Sequence, residues 1–236
     1  MTLAEIHRNW NIELDKSNLT TSNPSFLPEE IDYFVNTEIL RFIKTRYSGL
    51  NIHKDGFQQS QKRSDDLRTV VKSVDILQNV FLVSLGDDNK TTKYIISYPA
   101  DYFIGLGETV YISAVGSTEI KRTDVLECTI ENLDSRLSNS LSPYRYHNGS
   151  ATPLRVYSDG KIILYTDENY SIKKYTIIYI AAPTKLDWYA GNINVQLTMM
   201  PEHTWDEIIV NAVKSALLNI SDDRYQAYSQ EAQTIE

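Results

Sequence analysis

The sequence predicts an α+β protein: a helical bundle from the N- and C-terminal helices, with an antiparallel β domain inserted between them. Three observations predict it. Residues 28–47 repeat apolar side chains at helical spacing, and residues 204–220 do the same. Between them the pattern shortens to strand-like runs separated by turn formers. The expected division is an N-terminal extension over 1–27, a bundle from 28–73 and 200–221, an inserted β domain over 74–199 and a C-terminal arm over 222–236.

Leu3, Ile6, Trp10 and Leu14 share one face of a first helix, and the polar SNLTTSNPS stretch after it reads as a linker. Pro28 suits a first helical turn, Glu29 and Glu30 complement the helix dipole there, and Gly49 follows the last turn. Ile31, Phe34, Val35, Ile39, Phe42 and Ile43 form that helix's buried face. Asp55–Lys72 is polar. It reads either as an exposed helix packing through Phe57, Leu67, Val70 and Val71 or as an ordered loop.

From Val74 the period changes. Val80–Leu85, a Gly86–Asn89 turn and Thr91–Tyr98 read as a hairpin. Pro99–Leu106 is expected as a turn or single helical turn, Glu108–Val115 as a third strand and Lys121–Cys128 as a fourth. Thr129 can cap a short helix with Ile130, Leu133 and Leu137 on one side. Ser142–Ser150 is a loop. Arg155–Tyr157 and Lys161–Tyr165, joined through Asp159-Gly160, form a second hairpin. Lys173–Ala181 is the last strand, closed by Pro183. Thr204 and Glu207 have the spacing of a capping box, and Ile208, Ile209, Ala212, Val213, Ala216, Leu217 and Ile220 then share a face.

Composition narrows the function classes. The net charge of −8 gives no basic footprint for nucleic acid and disfavours an anionic membrane surface. One cysteine, Cys128, permits neither an intrachain disulfide nor a cysteine-based zinc site, and its place in a strand predicts a buried, inert thiol. Asn18, Asn89, Asn148 and Asn219 head glycosylation-type triplets, but no signal segment precedes them, so they read as chance matches. No apolar run approaches the ~20 residues of a membrane span. The expected location is cytoplasmic or virion-borne. Tyrosine outnumbers phenylalanine 16 to 6, which suits both a β-rich core and broad partner contact.

Catalytic signatures are sparse. His7, His53, His147 and His203 are scattered without metal-type spacing. Gly105-Leu-Gly107 lacks the third glycine and following helix of a phosphate loop and reads as a turn between strands. Gly86–Asn89 lacks the closing glutamate of a calcium loop. Asp65/Asp66 and Asp222/Asp223 are carboxylates adjacent in sequence, which by itself makes no converging pair. The expectation is no enzyme, no cofactor and no metal.

Three segments carry a resemblance. They are Thr129–Tyr146 (TIENLDSRLSNSLSPYRY), Pro153–Pro183 (PLRVYSDGKIILYTDENYSIKKYTIIYIAAP) and Met200–Tyr225 (MPEHTWDEIIVNAVKSALLNISDDRY). In these the chain resembles the head-to-tail connector proteins of short-tailed bacteriophages, called adaptors, tail tubular protein A or ring proteins. Its nearest flavour is the ring proteins of crAss-like phages. The segments before Pro28 and over Asp55–Lys72 have no counterpart. The resemblance implies a virion protein assembled as a closed ring of about twelve copies, a dodecamer, below the portal. Its partners would be the portal protein, further tail or ring proteins and passing DNA held without sequence-specific binding. Assembly would take place in the host cytoplasm. An acidic wall suits a DNA channel, because neutralising phosphates is what creates strong nonspecific affinity. The C-terminal segment would be an arm with Arg224, Tyr225 and Tyr228 as anchors on the portal or a neighbouring subunit.

Two other classes fit parts of the sequence. A tail-associated carbohydrate-binding or adhesin-like β module would stack sugars on exposed aromatics, with Trp188-Tyr189 the best candidates; the plainer role for that pair is an aromatic anchor. A hydrolase would need two carboxyls about 5–10 Å apart in a cleft.

Overall fold

A computed structural model describes residues 1–16, 25–48, 61–85 and 91–219. Among these residues the chain is a mixed α+β protein with five α-helices and two antiparallel-rich sheets. The helices are α1 (Leu3–Lys16), α2 (Pro28–Ser48), α3 (Gln61–Leu67), α4 (Ile130–Ser138) and α5 (Trp205–Asn219). The strands are β1 (Val71–Leu77), β2 (Leu82–Leu85), β3 (Thr91–Ser97), β4 (Tyr102–Ala114), β5 (Lys121–Thr123), β6 (Leu126–Glu127), β7 (Leu154–Ser158), β8 (Lys161–Asp167) and β9 (Tyr170–Ala181). The chain divides into two units, Met1–Val70 with Pro183–Glu236, and Val71–Ala182. The β unit thus begins three residues before the anticipated position 74. It ends at Ala182 rather than 199, because residues 183–199 pair with the helices: Ala4 N–H donates to Ile193 O and Leu197 N–H to Met1 O.

In the helical unit, α1 starts with a reciprocal cap. Thr2 N–H donates to Glu5 Oε2 at 2.8 Å and Glu5 N–H to Thr2 Oγ1 at 3.2 Å. The segment expected as an extension is therefore a packed element, with Leu3, Ile6, Trp10 and Leu14 all buried. Helix α2 buries the anticipated Ile31, Val35, Ile39, Phe42 and Ile43, and also Asp32, Glu38 and Arg46. Helix α5 buries Ile208, Ile209, Ala212, Val213, Ala216 and Leu217, together with Trp205; Ile220 lies outside the described residues. The anticipated Thr204–Glu207 capping box does not form. Thr204 sits in a 3₁₀ turn and donates its hydroxyl to Pro201 O at 2.8 Å, while Glu207 is bound by Arg46. Helix α3 realises part of the Asp55–Lys72 reading, with Leu67 and Val70 buried; Val71 starts a strand, and His53 and Phe57 lie outside the described residues.

In the β unit, one sheet has the order β1-β9-β4-β5 and the other β2-β3-β8-β7-β6, with β6 and β7 parallel and all other neighbours antiparallel. Their inward faces share one core: Val110, Ile112, Tyr175 and Ile177 from the first, Tyr94, Ile96, Ile162 and Leu164 from the second. The opposite face of the second sheet is also covered. Leu154, Val156 and Tyr165 pack there with Cys128, Tyr144 and the α4 residues Leu133 and Leu137. Cover on both faces explains why β8 is buried along nearly its whole length and carries the run Ile162–Tyr165.

Several local expectations change. Tyr102–Leu106 belongs to β4, and only Pro99–Asp101 turns, closed by Tyr102 N–H to Pro99 O. Gly105 and Gly107 are strand residues at a register shift against β9, so the pair is a bulge rather than a turn between strands. Lys121–Cys128 splits into β5 and β6, which join different sheets. Thr129 precedes α4, but its side chain caps no backbone N–H; its hydroxyl accepts from Asn132 Nδ2, and its carbonyl accepts from Asn132 N–H. The Asp159-Gly160 hairpin is as anticipated, with φ of 52° and 64°, the left-handed pair a two-residue turn requires. The Gly86–Asn89 turn lies outside the described residues.

Candidate functional site

A partly buried polar constellation of the β unit lies between its sheets. In β4, Glu108 shares strand parity with Val110 and Ile112, so alternation turns its carboxylate inward. In β7, Arg155 and Tyr157 stand opposite Leu164 and Ile162 in the ladder and face the same core. Glu108 Oε1 accepts from Arg155 Nη1 at 2.5 Å and from the Tyr157 hydroxyl at 2.9 Å. Arg155 also reaches Glu127 Oε1 with Nη2 at 2.8 Å, and its guanidinium lies 4.2 Å from the Tyr157 ring centroid.

Tyrosines surround this pair. Tyr98 lies 4.4 Å from Tyr102 and 5.9 Å from Tyr157 between ring centroids, and Tyr102 continues to Tyr179 at 5.6 Å. Burial, then the Glu108 charge, pushes the Tyr157 hydroxyl well above the ordinary tyrosine range, and Tyr175 is raised by the same two causes. Burial followed by the neighbouring Tyr102 pushes Tyr98 up to about 12. Tyr179 donates to Asp101 Oδ1 at 2.7 Å, and Lys72 binds the other oxygen of that carboxylate. The Lys72 and Tyr179 hydrogen bonds hold Asp101 below the usual carboxylate range. These hydrogen bonds and ion pairs tie β4, β7 and β6 into one clamp and keep the phenols neutral. The signal for Glu108 was present in the sequence as a charge at an inward position of an apolar alternation.

The helical unit has its own polar ties. His7 Nε2 lies 2.8 Å from Asp32 Oδ1, Asp32 Oδ2 accepts from Trp188 N–H, and the His7 and Trp188 rings meet at a tilt of 31° with centroids 4.3 Å apart. Arg46 bridges two carboxylates, Asp66 Oδ2 at 3.0 Å and Glu207 Oε2 at 2.5 Å, while His203 Nε2 meets Asp66 Oδ1 at 2.9 Å. The scattered histidines thus have separate local roles: His7 and His203 are carboxylate partners, and His147 belongs to a small turn with Ser150. No group of three histidine, cysteine or acidic side chains among the described residues has the geometry to hold a metal ion.

The loop Ser142–Ser150 is firmly braced. Tyr144 is fully buried and donates its hydroxyl to Leu137 O, Arg145 Nη2 binds the same carbonyl, and Tyr170 donates to Tyr144 O. Cys128 is buried beside it. Trp188 anchors to the helices, while Tyr189 beside it is 66% exposed. Arg224, Tyr225 and Tyr228 lie outside the described residues. No helix among the described residues is long and apolar enough to cross a membrane.

No protein family matches the chain, and no curated protein is significantly similar to it.

Proposed function

We propose that the chain is a structural virion protein of a bacteriophage, a head-to-tail connector rather than an enzyme. About twelve copies form a ring below the portal, continue the DNA channel and present a docking surface for the tail. The observation that carries this reading is the union of helices from the two ends of the chain. Arg46 on α2 binds Glu207 on α5, and Ser215 on α5 donates to Glu38 on α2 at 2.7 Å. This supports a helical bundle interrupted by an inserted β domain, the layout on which the family likeness rests. Exposed large apolar groups on both units, such as Tyr33, Tyr47, Val115 and Leu141, suit a subunit with several contact faces.

The C-terminal residues after Ser221 act as the arm, with Arg224, Tyr225 and Tyr228 engaging the portal or a neighbour. Cryo-electron microscopy of virions tests the assignment: the expected result is a closed ring of this chain at the portal vertex. Absence from virions, or one copy per particle, overturns it. Co-sedimentation with portal rings tests the arm, since a chain truncated after Ser221 should stay folded and bind poorly; equal binding removes the arm.

One observation favours the carbohydrate-binding reading, the exposed Tyr189 ring beside a fixed Trp188. Binding on a glycan array that is lost in Tyr189→Ala would establish that reading instead.

A further inference from the structure

The turn between His147 and Ser150 carries the chain's only asparagine followed by glycine, Asn148-Gly149. Asn148 has φ of 50° and Gly149 of 81°, the left-handed pair of a tight two-residue turn. The turn is closed by His147 N–H to Ser150 O and Ser150 N–H to His147 O, both at 3.0 Å. This bridge is isolated, so no strand ladder continues from it, whereas the Asp159-Gly160 turn closes the full β7–β8 ladder. Asn148 is exposed. Among the described residues, neither its side-chain amide nor the Gly149 N–H has a hydrogen-bond partner.

A nucleophile and an electrophile thus lie next to each other, both unengaged. An asparagine side chain closes a five-membered ring when the next main-chain nitrogen attacks its Cγ, and a side chain on that next residue obstructs the closure. Gly149 has none. Reaching the attack geometry requires rotation of the Asn148 main chain, which is opposed by the two His147–Ser150 bonds and by one contact, Lys121 Nζ to Gly149 O at 3.2 Å. The same ammonium favours the deprotonated Gly149 nitrogen that makes the attack. Asn139, before the small Ser140, is an internal contrast. It is exposed too, but its Oδ1 accepts from Leu141 N–H at 2.9 Å, which ties its amide to its own turn.

We propose that Asn148 is a modification site, at which Gly149 drives spontaneous conversion of the asparagine to a mixture of aspartate and isoaspartate. The Gly149 nitrogen gives its proton to solvent base and bonds to Asn148 Cγ. The Cγ–Nδ2 bond breaks, and ammonia leaves with a proton taken from water. Water then opens the resulting succinimide. Cleavage between Cγ and the nitrogen gives aspartate, and cleavage between the main-chain carbonyl and the nitrogen gives isoaspartate. Water is the only reagent consumed, and nothing is oxidised or reduced. Either product adds a negative charge beside Lys121, and isoaspartate also lengthens the main chain by one carbon inside the turn. The inference is independent of the connector reading.

Timed incubation of the folded full chain in mildly alkaline buffer, followed by digestion and mass-spectrometric peptide mapping that separates the two isomers, tests it. Circular dichroism confirms that the chain stays folded throughout. The expected result is progressive conversion at Asn148, divided between isoaspartate and aspartate, that outruns conversion at Asn139 and at every other asparagine. It should be lost in Asn148→Gln, which keeps the amide at this exposed position but would need a six-membered ring. No conversion at Asn148 in the folded chain, conversion that appears only after unfolding in urea, a rate no greater than at Asn139, aspartate without isoaspartate, or equal amide loss in Asn148→Gln overturns the proposal.

Discussion

Glu108 Oε1 lies 2.5 Å from Arg155 Nη1, joining β4 of one sheet to β7 of the other through a largely desolvated ion pair. Such a pair adds little over an apolar replacement of both members, but removing one member strands the other charge in the core. Glu108→Ala leaves Arg155 only the exposed Glu127 and is expected to cost about 3 kcal/mol, the low end for a broken buried pair. Glu108→Ala with Arg155→Met should recover part of that loss. Urea-unfolding midpoints of the two variants check it, and equal destabilisation would show that the charge left behind is not the cause.

Alkaline pH should unfold the β unit before ordinary surface titration accounts for it. Tyr98 and Tyr179 are each raised from 10.0 to about 12, both chiefly by burial; Tyr179 is held further by donating to Asp101. Between these values the unfolded chain has lost protons that the folded chain retains, so stability falls as pH rises. The contribution is complete below about pH 10 and lost through about pH 12. Tyrosinate absorbance and circular dichroism should change together in that window, and Tyr98→Phe should move the midpoint upward. Tyrosinate absorbance that rises at its ordinary pH with the fold intact would contradict the burial.

Ala212 and Ala216 are fully buried on α5. Ala216→Leu should overpack the helical unit and destabilise it by about 1–3 kcal/mol, because close-packed interiors have no room for three more carbons without shifting neighbours. Thermal unfolding measures this; an unchanged midpoint would mean that the site relaxes freely.

Arg46 holds Asp66 and Glu207 together while its own side chain is 2% exposed. Arg46→Ala leaves the equally hidden Asp66 without its buried cation, at a cost of about 3–5 kcal/mol. Arg46→Lys should restore only part, because one ammonium cannot reproduce a planar fork that engages two carboxylates. Ranking the three proteins by chemical denaturation checks the order, and full rescue by lysine would reduce the role to simple charge.

Periodicity exposed the elements that bury one face. Helices α2 and α5, the Asp159-Gly160 hairpin and the end of β9 before Pro183 could all be read from the chain. Elements governed by distant partners could not. Gly105 and Gly107 look like turn residues until β9 is seen to shift register beside them. Glu207 has the spacing of a capping partner for Thr204, yet Arg46, 161 residues away in sequence, takes it. The same spacing at Thr2 and Glu5 does form a cap. Local sequence offers the bond in both places, and tertiary competition decides which is made. The Glu108 clamp was half legible: parity placed a charge in the core, but its partner sits 47 residues on, in the other sheet.

The lone thiol also gives this protein a built-in clock. Cys128 Sγ is sealed under Tyr144 and α4, with its S–H directed to Thr129 O at 3.4 Å. A thiol-modifying reagent can reach it only when that seal parts. Its labelling rate therefore times the opening of one corner of the β unit, without any engineered probe. A cysteine placed on the surface would react far sooner, so a second label could be attached selectively while the native thiol stayed silent.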